Sequence, residues 1–198
     1  MTDAVPPTLD RQVASAIIAD HARRRHGSDG ALRAASAPGR LVAEPGATVD
    51  DAGEVLGSSA QRNATCGDVV DLRILAADPG DGPSRAEGAG PVDPARRLRV
   101  RWHGRGCTVS QASASMLAEV VEGRTAAEAV ALVAELRAVI RTQEIRPGAD
   151  ERLGDAFALA DSGRYPLRGT CALLAWHALE EAVADGGAGA GGRAGSPG

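Results

Sequence analysis

The chain has 198 residues, of which 43% are hydrophobic, so it can bury a core of its own without a disulfide framework. Its net charge of −4 at pH 7 argues against a nucleic-acid-binding protein, because such proteins need a basic footprint. It has no apolar run of about 18 residues and no apolar signal core near the N-terminus, so we expect a cytosolic protein without a membrane span.

The first half of the chain predicts one helix followed by strands. Residues 8–24 carry apolar side chains on one face at helical spacing, and Thr8 can cap this helix. Residues 69–75 and 98–102 alternate apolar with polar side chains, which is typical of half-buried strands. A weaker strand is predicted around residues 54–61.

Three segments contain too few large apolar residues to order themselves around a core. Residues 27–47 are rich in glycine, alanine and proline, and residues 77–95 in glycine, proline and aspartate, so both are predicted to be mobile insertions. The tail 185–198 is glycine-rich and is predicted to be disordered. We therefore expect a single domain over residues 1–184.

The second half is predicted to be helical. Thr125 and Glu128 have the spacing of a capping box at the start of one helix, and Gly123 ends the helix before it. The predicted helices span residues 109–121, 125–141, 153–160 and 174–183. A helix, then strands, then helices indicates an α+β fold.

Three cysteines lie far apart in the chain, and each falls at the boundary of a predicted element. Cys66 precedes a strand, Cys107 stands at the start of a helix, and Cys171 opens the last helix. We expect free thiols, because a reducing cytosol disfavours disulfides. The positive end of a helix dipole lowers a thiol pKa, which favours the thiolate at Cys107 and Cys171.

These cysteines allow two interpretations. Asp68 follows Cys66 by two residues, and three thiolates with one carboxylate make the four ligands of a tetrahedral zinc site. Such a site is strongly negative, so a neighbouring cation is expected, and Arg168 is the candidate. However, the spacings match no short zinc motif, and three unrelated buried cysteines remain the alternative.

The four histidines are predicted to have no functional role. His21 and His26 lie near a basic helix end and are expected to be solvated. His103 is expected to be exposed, because it faces away from Trp102 on its strand, and His177 lies off the apolar face of the last helix.

Three strings of residues resemble the cysteine motifs of the SufU/IscU (NifU N-terminal) family. They run from Asn63 to Asp68, from Gly104 to Met116 and from Arg168 to Leu179. The resemblance covers residues 9–183 apart from the two insertions. It implies an antiparallel sheet of about three strands with helices packed on one face, as in SufE and IscU.

Within this family the chain is more similar to the SufU branch than to IscU. The interval between Cys107 and Cys171 is long, as in SufU proteins, and Thr170 stands where IscU has a metal-binding histidine. Arg168 and Trp176 also match SufU.

The resemblance implies a zinc ion held by Cys66, Asp68, Cys107 and Cys171. It further implies a SufS-type cysteine desulfurase as partner and a SufBCD-type scaffold downstream. In SufU proteins a desulfurase histidine replaces one cysteine on the metal, and the freed thiolate, here Cys66, accepts the persulfide sulfur. Arg168 would assist that released thiolate.

Two alternatives use the same residues. One is an IscU-like scaffold on which a transient iron–sulfur cluster is assembled. The other is a structural zinc module that only binds partners.

Overall fold

The computed structural model describes residues 9–29, 32–34, 41–43, 55–77 and 90–185. Most of the predicted first insertion, residues 78–89 of the second, and the tail from residue 186 therefore lie outside the described residues. The elements in chain order are α1 (Arg11–Arg24), β1 (Leu32–Ala34), β2 (Leu41–Ala43), β3 (Val55–Arg62), β4 (Val69–Ala76), β5 (Leu98–Arg105), α2 (Thr108–Val121), α3 (Ala126–Arg141), α4 (Ala149–Leu153), a 3₁₀ helix (Gly154–Arg164) and α5 (Pro166–Asp185).

The main sheet is antiparallel, with strand order β3-β4-β5. Its inner face is apolar, because alternate residues such as Leu72 and Trp102, which are register partners, are fully buried. This alternation fixes the register, since a slip of one residue would turn the apolar set toward the other face. The three predicted strands are confirmed, and β5 continues three residues beyond its predicted end.

The helices α2 and α5 pack against the inner face of the sheet, and α1 and α3 pack on the other helices. Gly57 of β3 permits the close approach of α5, since a Cβ there would lie 2.2 Å from the carbonyl oxygen of Ala182. Ser113 joins α2 to α5: its hydroxyl donates to the Ala172 carbonyl (2.5 Å) and accepts from Trp176 Nε1 (2.9 Å). The predicted α+β fold, with a three-stranded antiparallel sheet and helices on one face, is confirmed.

Two predicted helix starts are wrong, whereas the one marked by the capping box is confirmed. Asp10, not Thr8, caps α1, and it accepts the backbone N–H of Gln12 at 2.8 Å. The last helix begins at Pro166 rather than near Cys171, because proline suits the first helical turn. The capping box of Thr125 and Glu128 is present at the start of α3.

Part of each predicted insertion is ordered against the domain. The backbone N–H of Val92, a buried residue, donates to the carbonyl of Val183 at 2.8 Å. The strands β1 and β2, which lie within the predicted loop 27–47, pair antiparallel. In the described part of the chain, no helix is both long and apolar enough to cross a membrane.

A buried aspartate interrupts the outer face of the sheet. Asp71 of β4 is 1% exposed, and neither of its carboxylate oxygens has a hydrogen-bond partner among the described residues. Burial raises the pKa of Asp71, and the neighbouring Arg62 and His103 oppose this rise only in part. The folded state therefore holds the proton of Asp71 more tightly than the unfolded state does.

We expect Asp71→Asn to stabilise the protein by about 1 kcal/mol at neutral pH and much less near pH 4. The sign follows from the raised pKa. Proton binding by Asp71 stabilises the folded state at low pH, and this contribution is lost as the pH rises through the folded-state pKa. Urea unfolding at the two pH values measures the difference. Asp150→Asn, at an exposed site, is the control, and an equal gain in both variants would contradict the assignment.

Candidate thiol site

Cys66 lies in the short turn that joins β3 to β4. Asn63 organises this turn: its backbone N–H donates to the carbonyl of Asp68 (2.9 Å), and its side-chain oxygen accepts the N–H of Thr65 (3.0 Å). Gly67 has a φ of +76°, which disfavours any residue with a Cβ. The turn therefore presents Cys66 at an exposed position.

Cys107 caps the N-terminus of α2, as its position in the sequence predicts. Its Sγ accepts the N–H of Ser110 at 3.4 Å, and its own N–H donates to Asp68 Oδ1 at 3.1 Å. Gly106 permits this approach, because a Cβ there would lie 2.6 Å from the carboxylate carbon of Asp68. The chain segment before α2 is thus packed directly on the Asp68 side chain.

Cys171 completes the cluster from α5. Its thiol is buried, lies 3.3 Å from Cys66 Sγ, and accepts a hydrogen bond from Asn63 Nδ2 at 3.6 Å. The ligand atoms of Cys66, Asp68 and Cys171 all lie within 4.8 Å of one another. Cys107 bonds Asp68 through its backbone N–H, but its thiol does not belong to this mutually close group.

Asp68 and Cys171 have opposite pKa shifts in this cluster. Burial pushes the pKa of Asp68 upward, but hydrogen bonds from Cys171, Cys107 and Cys66 outweigh it and leave this pKa below its ordinary value. Burial, together with Asp68 and Cys66, raises the pKa of the Cys171 thiol. Without a cation, the negative charge therefore resides on Asp68 while Cys171 keeps its proton.

The donor set suits a divalent metal of the zinc type. Asp68 is 3% exposed, and its Oδ2 is buried without a hydrogen-bond partner among the described residues. A buried carboxylate oxygen left unpaired is costly, and a metal ligand bond would satisfy it. Thiolate sulfur with one carboxylate oxygen is a ligand combination that zinc accepts.

Comparison with known proteins places this site in a family. The NifU-like N terminal domain matches residues 92–186. The chain is 35% identical over 121 residues to the iron–sulfur cluster assembly scaffold protein IscU of Streptococcus pyogenes serotype M1, and 30% identical over 122 residues to that of Thermotoga maritima. These matches cover 61% and 62% of this chain, and 65% and 72% of the two proteins. The chain belongs to the SufU/IscU/NifU N-terminal family.

Two further known proteins are similar to this chain. The zinc-dependent sulfurtransferase SufU of Bacillus subtilis is 34% identical over 85 residues, which is 43% of this chain and 56% of that protein. A solved structure from Fervidobacterium islandicum AW-1, assigned to iron–sulfur cluster assembly in the SUF system, has a TM-score of 0.56. It covers 88% of this chain and 99% of its own at 22% identity, which supports the fold.

Arg168 lies in the first turn of α5, the helix that carries Cys171. It is three residues before Cys171, is exposed, and places its guanidinium 5.1 Å from the ring centre of Tyr165. A cavity of about 390 Å³ begins here and extends between α1 and the start of α2. The structure thus leaves Arg168 accessible from outside.

The prediction that His21 is solvated is wrong. His21 is fully buried between helices, with Nδ1 3.1 Å from Ser115 Oγ and Nε2 3.0 Å from an Asp155 oxygen. Glu119 completes a second group of close metal-type ligand atoms. The guanidinium of Arg24 lies 3.2 Å from His21 Nε2 and near both carboxylates, so this group already contains a cation.

Two residues that position the thiols were not predicted. Asn63 has a detectable sequence signal, because an asparagine before a Cys-Gly turn favours local side-chain-to-backbone bonds. Arg25 has none: its guanidinium stacks 4.8 Å from the Trp102 ring centre, donates to Gly104 O at 3.3 Å, and bonds the Gln111 side chain. Arg25 thus holds the chain on both sides of Cys107.

We expect Arg25→Ala to destabilise the protein by about 1–3 kcal/mol, because the Gln111 and Gly104 acceptors would lose a charged donor. Amide hydrogen exchange at Cys107 should also become faster. Urea unfolding and exchange measured by NMR check both effects. Arg23→Ala is the matched control, since Arg23 is on the same helix and 72% exposed. Equal effects of the two substitutions would show that Arg25 does not hold this turn.

Proposed function

We propose that the chain is a zinc-dependent sulfurtransferase, which accepts persulfide sulfur from a SufS-type cysteine desulfurase and passes it to a SufBCD-type scaffold. The observation that supports this most directly is the meeting of Cys66 and Asp68, both in the β3–β4 turn, with Cys171 of α5. The backbone N–H of Cys107, at the start of α2, donates to Asp68 Oδ1. Free thiols suit a reducing compartment, so we place the reaction in the cytosol.

Cys66 is the acceptor that the geometry favours. Cys171 is buried, and Cys107 is engaged as the cap of α2 through the N–H of Ser110. Cys66 is exposed on a turn, and its neighbour Gly67 meets nothing within 4 Å where a Cβ would be. Its thiol can therefore reach a partner without breaking a helix.

The transfer step conserves electrons and atoms. The Cys66 thiolate attacks the outer sulfur of the desulfurase cysteine persulfide, a sulfur–sulfur bond forms at Cys66, and the bond to the desulfurase cysteine breaks. The desulfurase cysteine leaves as a thiolate, so no external oxidant or reductant is needed. The proton of Cys66 must be lost first, because only the thiolate is nucleophilic.

The surrounding side chains prepare this thiolate. Cys66, Asp68, Cys107 and Cys171 would hold the zinc ion, which when bound keeps thiols deprotonated near neutral pH. Asn63 donates a hydrogen bond to Cys171 and fixes the turn around Cys66. Arg168, three residues before Cys171, is available to stabilise the negative charge of Cys66 once a partner has docked.

A second candidate function is a scaffold on which a cluster is assembled. Two relatives are named as IscU scaffolds, and the same four residues would hold the cluster. Thr170 favours the sulfurtransferase, because its short hydroxyl side chain offers no imidazole beside Cys171. A structural zinc module remains a third possibility.

One experiment separates these functions. Metal analysis of the purified chain is combined with a desulfurase assay that measures alanine release with and without it. About one zinc per chain and strong stimulation of turnover are the expected results. A stable cluster after reconstitution with no stimulation would instead support the scaffold, and stimulation that survives loss of Cys66 would support the structural module.

A further inference from the structure

One arginine precedes each cysteine of the thiol site. Arg62 lies four residues before Cys66, Arg105 two residues before Cys107, and Arg168 three residues before Cys171. All three side chains are exposed. None forms an ion pair with a carboxylate in the part of the chain that the structure describes. We call these three residues the basic rim.

The rim flanks the site on two sides. Arg62 ends β3 and Arg105 ends β5, and both are register partners of Val69, the residue that follows Asp68. They therefore stand together on the sheet side of the thiols. Arg168 stands on the helix side, in the first turn of α5.

Carboxylates around the site do not neutralise the rim. Asp71 is 1% exposed beneath Arg62, and Asp68 is turned toward the thiols. Asp161, in the cavity beside Arg168, is already paired with two other arginines, Arg11 at 3.2 Å and Arg164 at 3.1 Å. The surface around the thiols is thus positive in a chain whose net charge is −4.

We propose that the basic rim binds an acidic protein surface that surrounds the persulfide cysteine of the sulfur donor. This inference rests on the proposed function and adds that the contacting surface of the desulfurase is negatively charged. An exposed arginine that binds a single small anion contributes little binding free energy. Several arginines spaced around a site, however, attract an acidic protein surface and set its orientation. The net charge of −4 disfavours a nucleic acid as the occupant.

The test is charge reversal combined with salt. Binding of the chain to the SufS-type desulfurase of the same organism is measured by calorimetry, and stimulation by alanine release, over a range of NaCl concentrations. For the wild type, we expect Kd and the apparent KM to rise with salt. Arg62→Glu/Arg105→Glu should raise both about 10-fold or more and flatten the salt dependence, with zinc content unchanged.

Arg97→Glu is the matched control for Arg105→Glu. Arg97 is exposed and lies one residue before β5, at the end opposite to Arg105 and away from the thiols. The proposal for the basic rim would be overturned if the two single variants lost affinity equally. A Kd insensitive to salt, or no binding at all, would also overturn it. Wild-type binding to inorganic phosphate or a DNA duplex that is lost in the double variant, without any change in desulfurase Kd, would also overturn it. Salt-dependent binding without sulfur transfer would overturn the proposed function. The effect of the charge-reversal variants on Kd would then still test whether the basic rim binds this partner.

Discussion

Cys66→Ser should reduce stimulation of the desulfurase about 100-fold or more, to the level of the enzyme alone. A serine hydroxyl has nearly the size of the thiol but is not ionised near neutral pH and cannot carry a persulfide. Because the side chain is exposed on a turn, the fold should be unaffected. Alanine release measures the loss of stimulation. Mass spectrometry of the chain after one turnover shows whether the mass of one added sulfur atom is missing.

Ala64→Ser provides the control for this substitution. It places a hydroxyl at another exposed position of the same turn and should retain full stimulation. Wild-type stimulation by Cys66→Ser would show that the thiol is not the acceptor. Persulfide found on Cys107 instead would move the acceptor to the start of α2.

Asp68→Asn should weaken zinc binding by roughly 100-fold. Loss of a residue that only hydrogen-bonds a metal ligand typically costs about 10- to 100-fold in affinity, and here a ligand itself is replaced. The amide keeps the size of the side chain, and its oxygen can still accept the N–H of Cys107. What is lost is the negative charge and the second oxygen, Oδ2, which is buried without a partner among the described residues. Competition with a chromogenic chelator measures the affinity directly.

Asp71→Asn is the matched control, since Asp71 is equally buried and lies three residues further along the same segment. It removes the same charge outside the thiol site, so zinc affinity should stay unchanged while stability at neutral pH rises. If both substitutions lowered zinc affinity equally, general electrostatics rather than ligation by Asp68 would explain the result.

Local sequence rules account for most of the fold. The alternation at residues 69–75 and 98–102 indicates the strands correctly, because the apolar side chains of each strand share the inner face of the sheet. Only β5 is half-buried as predicted, since the central strand β4 is buried on both sides at all but one of its positions. The Thr125–Glu128 capping box marks the start of α3 for an equally local reason. The start of α5 was missed because Gly169 and Thr170 are poor helix formers. In the structure Gly169 is buried against Ile140 of α3, and the Thr170 hydroxyl donates to the Pro166 carbonyl at 3.0 Å within the same helix.

The order of the motifs, the alternating strands and the helix caps can be established from the amino-acid sequence alone, because each depends on residues within about one turn or one strand. The approach of the turn with Cys66 to Cys171 on α5, and to Cys107 at the start of α2, depends instead on strand register and helix packing. The spacings by themselves favour inert cysteines. The tertiary structure also placed His21 in the core and Arg25 against Trp102. These contacts join residues that are far apart in the chain, and no local pattern encodes which distant side chain will fill a given space.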